Sequence, residues 1–377
     1  MSAANNSGGL TKTEQYLSKL ARRSFLSLWS HSNLFRDVGK ELADLVVVCG
    51  EIVIIFSDKE VKCDASDDLR KGWLRWYNRA ILKSVKQLKR AHGWILCHRD
   101  RIYLDAQCEN KVNLFDKLDR GLRIHLVAVA NGASQNCQQH FGGGSGSLVV
   151  SPGEDPLNPE PFHVGNPAGE GAFVHVFDEA HLHVILQELD TIRDFSDYLE
   201  ARQKVIKNGN LHFAASEEDL LAVYLKDINE KGEHDFVSES GVSLNENQLI
   251  AIEEGSYLNF QKATQYRRKK LADKKSYLWD RLIEKFAKNF LEGTLAPIPA
   301  SLGARDGRHG GAELGLRYMA LERRVQRRGH AEAIIGAFDV LEKSGGNRFP
   351  IIPLTHVPSN CASRFVGSQM DTSALAV

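Results

Sequence analysis

Residues Gly39–Lys62 read GKELADLVVVCGEIVIIFSDKEVK, and the fold turns on this stretch. Val46–Val48 form one apolar run, Gly50 breaks it, and Ile52–Phe56 form a second. Two short, largely β-branched runs on either side of a Gly-containing turn predict the paired, buried strands of one hairpin. Charge gathers at the open ends of that hairpin. Asp44 opens the first run, while Asp58, Lys59, Glu60 and Lys62 close the second. Carboxylates beside buried strands cost free energy unless they are partnered, so these acids ask for a reason. Acids and a lysine on adjoining strand ends are the groups that hold a divalent cation beside a phosphodiester.

Alternation along a strand sorts these residues. Asp58, Glu60 and Lys62 share one face, and Ser57 and Lys59 share the other. Two working registers follow. In the first, the apolar run leads straight into Ser57-Asp58-Lys59, and Asp58 must swing inward through a local bulge. In the second, Glu60-Val61-Lys62 forms a regular acid-x-lysine unit, separated from Asp44 by fifteen residues and past the apolar run. Lys59 is favoured because it continues the buried strand, where the backbone holds geometry.

The flanking segments supply further candidates. Thr11 to about Trp29 has Leu17, Leu20, Ala21, Phe25 and Leu28 at helical spacing. Thr11-Lys12-Thr13-Glu14 matches a capping box, and Glu14 also lies on the face expected to pack on the sheet. Asp67 to about Ala91 predicts a long helix with an apolar stripe of Leu74, Tyr77, Ile81, Val85 and Leu88. Its opposite side carries Arg75, Arg79, Lys83, Lys86 and Arg90, either a solvated face or a phosphate track aided by Trp73 and Trp76. Gln87 borders the two stripes.

The pattern of Asp44, Ser57-Asp58-Lys59 and Glu60-Val61-Lys62 resembles the core of the PD-(D/E)XK phosphodiesterase superfamily, and the resemblance covers roughly residues 10–130. It implies a restriction-endonuclease-like α/β fold, a mixed sheet flanked by helices, and metal-dependent hydrolysis of nucleic acid, DNA rather than RNA. It further implies Mg²⁺ or Mn²⁺ held by Glu14, Asp44 and Asp58, with Asp44, Asp58, Lys59, Glu60, Lys62 and Gln87 as catalytic candidates. Arg75, Arg79, Lys83 and Lys86 become the nucleic-acid contacts. A setting in bacterial defence or among mobile-element genes is a further expectation for the chain. Ser57 departs from the pattern, because the family places an acid there. A catalytically inactive binding module, recruiting a protein through its C-terminal helices, is therefore the rival reading.

Further along, Trp94–Cys97 and Arg101–Leu104 predict a second hairpin, and Leu122–Ala130 and Phe173–Phe177 predict strands. Glu179 to about Lys207 reads as helix. The loop 135–153 contains GGGSGS, which lacks the GKS/T of a phosphate loop and reads as flexible insertion. Histidines 140, 163, 175, 181 and 183 show no zinc spacing. From about residue 208 the pattern turns helical, so the expected organisation is 1–207 as a nuclease-like α/β domain, 208–343 as a mainly helical domain and 344–377 as an extended or disordered tail. The latter half carries the basic-aromatic run from Gln265 and the cluster RRVQRR at Arg323–Arg328.

Composition narrows the partners. The 377 residues are 42% hydrophobic and 25% charged, ordinary values for a globular protein. Lysine plus arginine equals aspartate plus glutamate at 48 each, so nucleic-acid binding must rest on a local face rather than a global field. Six cysteines, at 49, 63, 97, 108, 137 and 361, form no CxxC pair and predict reduced thiols. With no basic-then-apolar start and no membrane-length apolar run, a cytoplasmic protein without a membrane partner is expected.

Overall fold

The computed structural model describes residues 11–64, 68–112, 114, 121–238, 240–245, 248–294 and 310–343. The segment expected to be a tail, 344–377, lies outside them, as does most of the Pro/Gly-rich stretch from 296 to 311. Strands β2 (Lys40–Cys49) and β3 (Ile52–Glu60) form the hairpin anticipated from their apolar runs, joined at Gly50 in a positive-φ turn. Ile52 to Phe56 are all fully buried. Each such side chain contributes roughly 1.5–3 kcal/mol over its exposed state, enough together to carry polar residues at the strand's end.

Strand β1 (Ser30–Asp37), which lacks an apolar run and was not anticipated, pairs antiparallel with β2 along the edge, with irregularities around Phe35. Strand β4 (Arg123–Asn131) lies parallel to β3, and β7 (Val174–Phe177) parallel to β4. The result is a mixed five-stranded sheet in the order β1-β2-β3-β4-β7. The crossover from β3 to β4 runs through α2 (Leu69–Tyr77), a π turn (Asn78–Leu82) and α3 (Lys83–His98). Helix α1 (Lys12–Phe25) covers the opposite face. Alternation divides the core accordingly. Ile52, Ile54 and Phe56 join the cluster containing α1, whereas Val53 and Ile55 join the one containing Trp73, Trp76 and Leu88.

Several local expectations change. Trp94–Cys97 is not a strand, because α3 continues to His98 with Ile95 fully buried. The Trp94 indole donates to the Arg101 carbonyl at 3.0 Å, which folds the following segment back. Of the expected partner strand only isolated bridges at Tyr103 form. The helix expected over 179–207 is two helices, α5 (Glu179–Glu188) and α6 (Ile192–Lys207), parted where the Thr191 side chain caps the second. Within the 135–153 loop, α4 (Ser134–His140) and β5 (Val149–Val150) are regular. Strand β5 enters a second, four-stranded sheet with β6 (His163–Val164), β8 (Leu211–Ala214) and β9 (Ile250–Ile252).

Helices α7 (Glu217–Lys226), α8 (Ser256–Lys262), α9 (Thr264–Leu291), α10 (Gly310–Ala320) and α11 (Arg324–Lys343) complete a helical C-terminal region. The boundary drawn near residue 208 does not separate two cores: Leu17, Phe56 and Phe195 share one apolar cluster with Leu221, Ile283 and Leu316. Charge secures the same union. Arg324, in the RRVQRR cluster, is 5% exposed and reaches the Asp190 carboxylate at 2.8 Å and Asp280 at 2.7 Å. Its backbone N–H donates to Asp194, and Arg327 takes the other oxygen of Asp280 at 2.7 Å.

Removing one partner of a buried ion pair leaves the other charge uncompensated, typically at about 3–5 kcal/mol. Arg324→Ala is therefore expected to lower unfolding free energy by about that amount in urea denaturation, while substitution of the exposed Arg281 changes it by less than about 0.5 kcal/mol.

Candidate active site

Strands β2 and β3 part company before either ends. Their shared ladder runs from Cys49/Ile52 to Leu45/Phe56. Beyond it β2 continues against β1 to Lys40, and β3 continues against β4 to Glu60/Asn131. Asp44 sits where the two diverge. Its Oδ2 accepts the Asp58 backbone N–H at 2.6 Å, replacing a ladder bond, and accepts Lys59 Nζ at 3.2 Å. Its Oδ1 accepts Gln87 Nε2 at 2.9 Å, and Gln87 Oε1 in turn accepts the Ser57 hydroxyl at 3.2 Å. The Asp44 side chain is 4% exposed and that of Lys59 is 30% exposed, so the lysine forms the solvent side of a buried acid.

Asp58 reaches this region without a bulge. Strand β3 keeps unbroken register with β4 through Glu60, so Asp58 follows Phe56 onto the α1 face, opposite Ser57 and Lys59. There Asn131 Nδ2 donates to Asp58 Oδ1 at 2.8 Å. Asp58 Oδ2 is buried and accepts no hydrogen bond of regular geometry, although the Thr13 hydroxyl is near enough to favour the charge. Burial raises the Asp58 pKa. Thr13 and Asn131 act against that rise, while the negative charges of Asp44 and Glu14 add to it.

Glu14 does form the capping box: its Oε2 accepts the Thr11 N–H at 2.8 Å. Its charge nonetheless acts on Asp58 and on Glu41, whose pKa is raised by partial burial and then by Asp44 and Glu14. Glu41, Thr13 and Asn131 were not anticipated. For Asn131 the available signal is a polar side chain ending the apolar run LRIHLVAVA, at the carboxyl edge of a parallel strand where α/β sheets place their sites. Glu60 and Lys62 are both exposed, and Lys62 follows the last residue of β3. The acid-x-lysine unit of residues 60–62 thus runs past the sheet, and the residues brought together are Asp44, Asp58, Lys59 and Gln87.

Arg75 on α2, Arg79 on the π turn, and Lys83 and Lys86 on α3 are all exposed, along the helical crossover that delivers Gln87. Trp73 and Trp76 are not surface platforms. Both are fully buried, stacked with ring centroids 5.0 Å apart, and Trp76 Nε1 donates to the Asn131 carbonyl at 3.2 Å. They brace the residue that braces Asp58.

Among the described residues, no group of three His, Cys, Asp or Glu side chains gathers as a metal site. The carboxylates nearest to that role are Asp44, whose two oxygens already accept donors in the strand gap, and Asp58, which keeps one buried oxygen without a regular hydrogen bond on the α1 side. Mg²⁺ takes one or two carboxylates and fills its remaining positions with water and phosphate oxygens. No known protein family, curated protein or solved structure matches the chain. No helix among the described residues is long and apolar enough to cross a membrane.

An acid whose folded pKa is raised above its unfolded value costs stability when ionised, and the cost disappears as pH falls through that raised pKa. Asp58→Asn, which keeps an acceptor for Asn131, is expected to raise the thermal midpoint at neutral pH. The gain should shrink as the pH is lowered through the carboxylate range. A series of melts against pH, wild type beside variant, checks both the sign and the window.

Proposed function

We propose that the protein is a metal-dependent nuclease of restriction-endonuclease-like architecture, acting on DNA. The observation that carries this reading is the buried Asp44 carboxylate in the β2–β3 gap, on which Lys59 and Gln87 converge beside Asp58. In this reading Asp44 and Asp58 hold Mg²⁺ or Mn²⁺, which when bound supplies Lewis acidity and an acidified water. Lys59 places a fixed positive charge where negative charge grows on the phosphate. Gln87 holds Asp44 in orientation, Asn131 holds Asp58, and Glu14 keeps the local field negative. Arg75, Arg79, Lys83 and Lys86 take the phosphate backbone, which makes binding strongly salt-dependent.

A second reading rests on Ser57. A hydroxyl stands where the resembled family places an acid, which favours a nuclease-like module that binds nucleic acid, or a protein through the C-terminal helices, without cutting.

Cleavage of plasmid DNA is expected only with Mg²⁺ or Mn²⁺, and Asp44→Asn is expected to abolish it. Persistence of cutting in EDTA, or in the Asn variant, would sink the nuclease reading. Lys59→Ala should slow single-turnover cleavage about 10²- to 10³-fold, as loss of one preorganised donor does. Lys62→Ala should change it little, as expected for an exposed charge. Equal, small effects of the two lysines would leave the binding module as the better account.

A further inference from the structure

The GGGSGS segment is not slack. Gln138 Nε2 donates to the Gly144 carbonyl at 2.9 Å, the Gly143 N–H donates to the Gln138 carbonyl at 2.9 Å, and Cys137 Sγ donates to the Ser147 carbonyl at 2.9 Å. Behind Ser147 lies a buried histidine clamped by two carboxylates: His181 bonds Asp178 and Glu218, and its Nδ1 is 3.3 Å from Ser147 Oγ. Burial opposes a charge there, but the two acids outweigh it and push His181 up to about 10, so it stays protonated and cannot serve Ser147 as a base. At Gly146 a side chain would strike the Ser134 carbonyl at 2.6 Å. The glycines therefore let the loop pass close to α4 and stay there.

The pinned loop forms one wall of a cleft of about 470 Å³, within the range of small-ligand sites. None of Asp44, Asp58, Lys59 or Gln87 lines it. Four rings line it: Phe141 and His163, with centroids 6.1 Å apart, and His212 and Phe213, with centroids 5.7 Å apart. Phe141 is 49% exposed, a large apolar ring carried on the loop at the rim of the cleft. The Glu254 carboxylate lies over Gly144, where a Cβ would come within 2.5 Å of Oε1. Among the described residues lining the cleft none is lysine or arginine, while in the first turn of the adjoining α7 Glu217 is paired with the buried Arg202 and Glu218 with His181. The Glu254 carboxylate on the wall therefore decides the preference: it disfavours a phosphate beside it and favours a neutral ligand that brings hydrogen-bond donors.

We propose that this cleft binds a planar nitrogen heterocycle of nucleoside size through a donor edge, with guanosine as its simplest form. The rings take the faces of the base, as aromatic walls do for bases generally. Glu254, which only accepts hydrogen bonds when ionised, takes the paired N1–H and 2-amino donors. The site shares no residue with the proposed nuclease centre, so either reading can fail without the other.

Calorimetry and saturation-transfer NMR with guanosine test the proposal on the full chain. Guanosine is expected to bind, and 1-methylguanosine, which lacks the N1 donor, to bind at least about tenfold more weakly. Glu254→Gln should bring guanosine down to that level, and Phe141→Ala should weaken it as well. Both side chains are exposed, and an unchanged circular dichroism spectrum establishes that each variant folds. The proposal is overturned by absence of guanosine binding at millimolar concentration, by equal binding of guanosine and 1-methylguanosine, or by wild-type affinity in folded Glu254→Gln.

Discussion

The hydrogen bond from the Asp58 backbone to the Asp44 carboxylate holds the centre of this molecule together. A hairpin that splits leaves main-chain donors facing each other across a gap, and an unpaired buried N–H is costly. A side-chain acceptor placed at the split resolves this and lets β2 stay with β1 while β3 stays with β4. The same acceptor then draws in Lys59 and Gln87, because a buried carboxylate needs donors on both oxygens. The chemistry of the site is thus inseparable from the way the sheet opens. Removing the acid would disturb the strand geometry as well as the charge.

The hairpin, its apolar faces, the capping box and the exposed basic stripe were all legible in the sequence, since each follows from periodicity or from a local capping motif. What was not legible depended on distance along the chain. Asn131 meets Asp58 across 73 residues, and Trp76 meets Asn131 across 55. Nothing near any of them announces the contact. The bulge imagined at Asp58 was a consequence of requiring all acids on one face; a regular strand places Asp58 on the other side and lets the strand gap bring Asp44 within its field. Trp94 and Ile95 looked like strand because aromatic and β-branched residues favour strands, yet packing on the sheet kept them helical.

Equal numbers of acids and bases proved to mean internal pairing as much as a neutral surface. The RRVQRR cluster is largely consumed: Arg323 reaches Asp197 and Glu233, Arg324 reaches Asp190 and Asp280, and Arg328 reaches Asp273. The acids around the glycine loop are used likewise, holding a charged His181. In both places a charged cluster acts as a fastening between segments.

The core that joins both halves also sets an order of events for a growing polypeptide. The main sheet has all its strands once Phe177 has been made, but the apolar layer over its α1 side includes Ile283, Leu316 and Ala320. A ribosome must therefore add roughly 140 further residues before that layer can close. At about 5–20 residues per second this takes on the order of ten seconds. During that interval the nascent sheet presents an incompletely covered hydrophobic face, the kind of surface on which chaperones act. Contacts so remote in sequence also close slowly, since loop-closure entropy must be met before they form. A chain cut short before the last two helices would keep every residue of the Asp44 centre and still lack part of the layer that buries its sheet.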